Sequence, residues 1–414
     1  MKHFQPKTTW ATDATYAAGA FPWSGGPNKI IPSLGIQATG AVPNAQVSAQ
    51  EFNYLENARQ DSLTVLGHAA LRTWKTVSLP NPGSVYAYVA LVGLTPSNTI
   101  GAERARIPAI YAKNTSSASR IYYAATYDGL TFDPATPVLT NTSFQSERYF
   151  DSGAPGVVFT SSFYSTNNGL AWASLSGAWS PGPVFPIGVH YANLATLGVQ
   201  RYFVCYYGAS VLPYCATPGG VPTNGTFPEG LASGTDAEFA NDGLGIVVLL
   251  ARKSGNAYYS LYRTTDGGAT WAKTLDLNGS TYANLTFVQS QGVFAVWTDL
   301  GTIRVSADGS SWATTAGTSA TVANGFTGIT QSLVACGPAL VKSVSDSASG
   351  FGGSSRYDGV AYSFDLGATW NLTYFGYLSQ ALVQIRSFNG RIYVIGGNQL
   401  LHVSGYLSAP VADF

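Results

Sequence analysis

The chain is short of charge. Asp, Glu, Lys and Arg make up 10% of its 414 residues, 21 basic against 21 acidic, where an average soluble protein carries about 25%. So neutral a surface has no field to steer DNA, RNA or an anionic membrane, and nucleic acid is not an expected partner. Cysteine is scarce too. Cys205, Cys215 and Cys336 are odd in number and lack a CxxC spacing, which excludes a closed disulfide framework and leaves them as buried apolar residues. No apolar run reaches the roughly 18 positions of a membrane span. The opening MKHFQPKTTWATD lacks the apolar core of a secretory signal, so folding in a cytoplasm is expected, whatever the final destination. His3, His68, His190 and His402 are far apart and show no metal spacing. No GxSxG or Cys/His pattern appears. No metal and no cofactor are expected.

Glycine and aromatic residues are plentiful instead. The 46 glycines, with 13% Phe, Trp and Tyr, suit a sheet-rich chain with many tight turns. One short phrase recurs: TTDGGATW at 264–271 and SFDLGATW at 363–370, with relaxed copies STNNGLAW at 165–172, TYDGLTF at 126–132 and SADGSSW at 306–312. The anchors are Asp128, Asn167, Asp266, Asp308 and Asp365. The gap between Asn167 and Asp266 is about twice an ordinary interval, and at its middle CATPGGVP, with Pro218, Gly219 and Gly220, reads as a decayed copy. Six units of about 40 to 55 residues result. Each holds short β-type runs, then the phrase, then one more run; GIVVLLAR (245–252) and AYYSLYRT (257–264) precede the copy at 264, and GVFAVWT and TIRVS the copy at 306. Such spacing predicts antiparallel meanders, and a four-stranded meander repeated at this period predicts a β-propeller.

The phrase fits a hairpin turn. Its Asp can accept backbone N–H groups two or three residues on, Gly268 and Gly367 supply positive φ, and Trp271, Trp312 and Trp370 fill the core between units. A single carboxylate per copy is too few oxygens for a calcium site. These segments resemble Asp-box (BNR) repeats of sialidases and many non-enzymatic propellers, over residues 73 to 406. The resemblance implies that the turns join the third and outermost strands, away from the axis where ligands bind. RTWKTVSL (72–79) matches the half-unit that follows a copy, as in ATWAKTLDL (269–277), but has none before it. ALVQIRSF, GRIYVIGG and QLLHVSGY (381–406) lack a following strand. The two ends therefore complement each other, and the expected fold is all-β, a propeller of about seven four-stranded blades closed by N- and C-terminal strands, with six blades as the alternative. Residues 342–357, KSVSDSASGFGGSSRY, read as a Gly/Ser-rich insertion.

RIPAI at 106–110 resembles the Arg-Ile-Pro motif of sialidases, whose Arg grips a substrate carboxylate, and makes Arg106 the glycan-binding candidate. The rest of that machinery is missing from the pattern. No Asp or Glu lies in 109–125 where the family's acid/base stands, and Glu103, Glu147, Glu229 and Glu238 sit in no matching motif. Arg304, Arg356 and Arg391 cannot be placed by motif. A non-enzyme is expected, with a glycoside hydrolase and a purely structural connector or decoration protein as the alternatives.

The first residues differ in kind. Residues 1–47 carry Trp10, Tyr16, Phe21 and Trp23 with several Pro and Gly and no useful period, an extended arm that orders by docking. In SAQEFNYLENARQDSLTVLG, Ser48 and Glu51 form a capping box, Phe52, Leu55, Leu63 and Leu66 recur at helical spacing, and Gly67 is a plausible C-cap. The divisions are thus an arm at 1–47, a helix and linker at 48–72, and a propeller at 73–414. Trp10, Thr12, Asp13 and Tyr16, then Gly19, Pro22, Trp23 and Ser24, then Lys29 and Pro32, then Ala49, Gln50, Asn53 and Tyr54 resemble the N-terminal segment of tailed-bacteriophage structural proteins. That resemblance implies a virion protein, anchored through Trp10, Tyr16, Trp23, Phe52 and Leu55 to other virion proteins of the tail or head-tail connector. It further implies that the C-terminal ring faces outward; a homo-oligomer within the particle is expected, and the ring's axial mouth, with loops rich in Tyr, Asn and Ser, is the expected place for host surface glycans to bind.

Overall fold

The computed structural model describes residues 30–31, 36–37 and 67–407, apart from segments 79–86, 92–106, 115–118, 142–148, 152–156, 175–185, 207–210, 231–236, 316–332, 348–355 and 378–381 and gaps of at most three residues elsewhere. The chain divides into two compact units, 1–69 and 70–414. In the first, Ile30–Ile31 pairs antiparallel with Ile36–Gln37. Trp10, Tyr16, Trp23, Phe52 and Leu55 lie outside the described residues, as does the expected helix over 48–66. Gly67 is itself helical, and so are residues 70–72; it does not act as the expected C-cap. Burial of Leu71 favours helical backbone here over the stop signal.

The second unit is built from seven four-stranded antiparallel sheets. Their first strands are Ala87–Leu91, Tyr149–Asp151, Pro186–Leu194, Glu238–Asn241, Ala283–Val288, Leu333–Cys336 and Leu382–Phe388. Each lies beside the first strand of the next sheet, and the last returns to the first. These are the inner strands of a ring. Neighbouring sheets cover both faces of the fourth sheet, so its second strand Val247–Arg252 does not alternate and is buried up to its last residue, while its outermost strand, Ala272–Asp276, is largely exposed.

The seventh sheet is assembled from both ends of the chain. Arg391–Gly396 and Leu400–Val403 follow the inner strand, and the outer place is taken by Lys75–Ser78, paired Lys75↔Val403 through Ser78↔Leu400. Thr76 Oγ1 meets His402 Nδ1 at 3.0 Å. Ahead of this strand Leu71 is fully buried among Val341, Tyr362, Ile385 and Leu407, its carbonyl accepts from Trp74 Nε1 (2.6 Å) and Thr373 Oγ1 (3.0 Å), and Gly405 N donates to Ala70 O (3.0 Å). Leu400–Val403 is therefore not left as an unpaired edge.

One segment is corrected. The described parts of the expected insertion at 342–357 are strand: Ala339–Ser347 and Arg356–Ser363 pair from Leu340↔Ser363 to Ser347↔Arg356, and residues 348–355 fall outside the described residues. Ser, Lys and Asp made the stretch look solvated, yet Lys342 is buried with its Nζ 3.3 Å from the centre of the Trp297 ring. Cation–π attraction and burial of its apolar stem offset the charge. Burial lowers the lysine's pKa to about 7.

Candidate functional site

The repeated phrases occupy the turns between third and outer strands: 264–271 links Tyr259–Thr264 to Ala272–Asp276, and 306–312 and 363–370 stand likewise in the fifth and sixth sheets. In the fourth sheet Thr264 Oγ1 donates to Asp266 Oδ1 (2.8 Å) and accepts from Gly268 N (3.0 Å). Asp266 accepts from Thr270 N (3.0 Å) and Thr270 Oγ1 (2.5 Å). Ser363, Asp365, Gly367 and Thr369 repeat this set, and Ala171 N donates to Asn167 Oδ1 at 2.8 Å. In these three the acceptor reaches four residues on, farther than the two or three expected. Only the shorter copy matches that reach: Asp308 accepts from Ser310 N (2.8 Å) and Ser311 N (3.1 Å). The hydroxyl and N–H of Ser310 and the N–H of Ser311 hold the Asp308 carboxyl well below the usual range. Asp266 and Asp365 are pushed up by burial but held down by more than that by their threonine donors. These hydrogen bonds to the carboxylates all come from within the same turn, so the geometry is that of a self-closed turn. Asp128 lies outside the described residues, and 216–222, around Pro218, fills the same place in the third sheet.

Each turn also locks onto the preceding sheet. A Cβ on Gly268 (φ +97°) would fall 2.6 Å from Phe203, and one on Gly367 (φ +87°) 2.7 Å from Ile303; backbone conformation and space both demand glycine. Trp271 packs among Phe203, Phe227 and Tyr262, and Trp312 and Trp370 pack between the next pairs of sheets. Leu366, at the place of Gly267, keeps φ +55°. That strain of about 1 kcal/mol is met by its packing near Ile303.

Among the described residues, polar groups on inner strands form a second set, one that sequence reading missed. Asn241 Nδ2 donates to His190 Nε2 (2.7 Å) and to Tyr191 O (3.3 Å), joining the inner strands of the third and fourth sheets. Gly243 N donates to Asn241 Oδ1 (2.9 Å) and fixes the amide's orientation, so His190 must accept at Nε2 and is neutral. Burial, with the ring stacked on Phe239 at 5.6 Å, lowers its pKa to about 4. Glu238 does the same work one sheet further, accepting from Asn284 Nδ2 (2.8 Å) and Leu285 N (2.7 Å). Between pH 6.5 and 4 the unfolded imidazole holds a proton that the folded one does not, so stability falls as the pH drops through that window, by up to about 3 kcal/mol. In urea titrations the loss between pH 7 and 4.5 is expected to shrink by about 2 kcal/mol in His190→Gln; an unchanged loss would place the acid sensitivity elsewhere.

A tyrosine and a glutamate do come together. Tyr262 Oη donates to Glu229 Oε2 at 3.5 Å, and Lys273 bridges Glu229 (2.8 Å) and Asp276 (3.2 Å). The pair is not arranged for nucleophilic attack. Tyr262 has no exposed surface, and burial first and Glu229 second raise its pKa to about 12, favouring the neutral phenol. Arg106 lies outside the described residues. Arg304 is in the third strand of the fifth sheet and Arg391 in the second strand of the seventh, so neither belongs to an inner strand. Arg391 instead covers Tyr406 at 3.8 Å, as Arg252 covers Tyr259 at 4.8 Å. All three cysteines are buried and free, and burial pushes the Cys215 thiol up to about 12 and Cys336 to about 11. Among the described residues no group of three His, Cys, Asp or Glu is placed to hold a metal ion.

No family model matches the chain, and no curated protein matches its sequence. Among solved structures it is similar to YCF48 from Cyanidioschyzon merolae, with TM-score 0.50 and 14% identity over 80% of this chain and 98% of that one. Virginiamycin B lyase from Staphylococcus aureus aligns at TM-score 0.47 and 11% identity, over 80% and 99%. The GH74 enzyme of Niastella koreensis aligns at 0.33 and 14%, over 70% and 60%. With the ring of four-stranded sheets, the first likeness defines the class: the protein is an all-β propeller. At such identities the likeness extends to the fold and not to chemistry.

Proposed function

We propose that the chain is a structural protein of a tailed-bacteriophage particle, joined to other virion proteins through residues 1–69 and carrying its propeller outward. The observation that supports this most is the series Trp10 to Tyr54, placed ahead of a ring that forms its own compact unit from Ala70. The repeated turns act as Asp-boxes do in non-catalytic propellers, with carboxylates spent on the fold. The ring's role is binding: the end opposite the repeated turns, where Tyr258 is 37% exposed, offers aromatic and amide groups to host surface glycans. Several copies assemble in one particle.

The full chain is expected to co-sediment with purified particles, and a chain starting at Ala70 to stay free in solution as a folded ring. A full chain that never sediments with particles would end this reading. Hydrolysis of a sialoside by the full chain, lost in Arg106→Ala, would replace it with the hydrolase.

A further inference from the structure

The closing strand is held to the ring by little besides its backbone. Lys75 and Thr76 are exposed and Val77 is half-buried, so Lys75–Ser78 rests on Leu400–Val403 through the ladder itself and through the contact of Thr76 Oγ1 with His402 Nδ1. His402 is 2% exposed and lies flat on Phe375 of the sixth sheet's outer strand, with centroids 4.5 Å apart and planes within 2°. Phe375 in turn meets Trp74 edge-on at 4.8 Å. The imidazole thus fills the corner where the incoming chain, the seventh sheet and the sixth sheet meet.

Its second nitrogen, Nε2, is buried with no hydrogen-bond partner. Either neutral tautomer can meet Thr76 through Nδ1, but a protonated ring must bury a charged, unpaired N–H at Nε2. Burial accordingly holds the pKa of His402 below the usual histidine value. The Phe375 face attracts a cation weakly, by less than burial of an unpaired charge costs. No carboxylate relieves it. By register Lys75 and Arg386 share the other face of the seventh sheet with Val403 and Tyr393, as does Arg391 two residues before Tyr393. From the sixth sheet, the outer strand Asn371–Tyr377 brings no Asp, Glu, Lys, Arg or His; Arg356 and Asp358 stand one strand further in, and Asp346 two. Arg72, beside Leu71, is exposed.

We propose that His402 is an acid-sensitive latch: its protonation loosens Lys75–Ser78, the strand that ties the beginning of the chain into the ring, while Leu71 stays seated and the other sheets stay closed. When the strand lifts, the imidazole gains water and takes a proton at the ordinary histidine pH. The open form then binds a proton that the closed form does not, so acid favours opening and neutral pH favours closure. The device works in the isolated chain, whatever the ring is joined to.

Hydrogen exchange of the full chain at neutral and at mildly acid pH, corrected for the intrinsic effect of pH on amide exchange, reads the latch. Between pH 7 and 5 the protection of Lys75–Ser78 is expected to fall about fivefold in the wild type and in His190→Gln, and less than about twofold in His402→Gln. The same fall in His402→Gln, or none in the wild type, overturns the proposal. Should His402→Gln fail to fold, the NMR titration of the imidazole in the wild-type chain decides instead. A His402 that takes its proton at the ordinary histidine pH, with Lys75–Ser78 still fully protected, overturns the latch; one that titrates only as that strand loses protection supports it.

Discussion

A chain lacking residues 1–78 is expected to lose the folded ring, whereas one lacking only 1–69 keeps it. The ladder from Lys75↔Val403 to Ser78↔Leu400 and the buried Leu71 go together in the longer deletion. At about 1 kcal/mol per hydrogen bond and about 2 kcal/mol for the leucine, the loss is on the order of 5 kcal/mol, comparable to the whole stability of many domains. It also bares Leu400–Val403 as an unpaired edge, so soluble aggregates should accompany the loss. Thermal melting with size-exclusion chromatography reads both effects. A chain starting at Leu79 that melts within a few degrees of the one starting at Ala70 would show that the closing strand is dispensable.

Trp271→Ala is expected to be the costliest single change, about 3–5 kcal/mol. Its ring stands edge-on to Phe203 at 5.7 Å and within 6.4 Å of both Phe227 and Phe239, so the cavity opens where the third and fourth sheets meet. Trp271→Phe should recover more than half of the loss, because Nε1 has no hydrogen-bond partner to forfeit. Gly268→Ala, which combines φ +97° with a 2.6 Å approach to Phe203, should cost about 2–4 kcal/mol through overpacking and backbone strain. Denaturant titration gives all three values. A Gly268→Ala ring as stable as wild type would mean that the turn does not lock onto its neighbour.

What could be read from the sequence is what each turn does for itself. Thr264, Asp266, Gly268 and Thr270 bond within one turn, so the phrase survives as a local pattern and its copies mark the third and outer strands. Closure was legible for a related reason: RTWKTVSL is half a unit whose other half lies at the far end of the chain. The contacts between sheets were not legible. Asn241 meets His190 across 51 residues and Glu238 meets Leu285 across 47, and neither leaves a periodicity. Arg391 over Tyr406 and Lys342 over Trp297 involve residue types that sequence reading assigns to solvent, because a cation's burial depends on an aromatic ring supplied by another strand. For the same reason the strand residues 342 to 347 read in the sequence as part of a Gly/Ser-rich insertion.

Hydrogen exchange of the full chain tests the central claim most directly. If the beginning of the chain seals the ring, the amides of Lys75–Ser78 should open together with those of Leu400–Val403, at one rate and with one dependence on denaturant. Fast exchange at 75–78 beside lasting protection at 400–403 would contradict it.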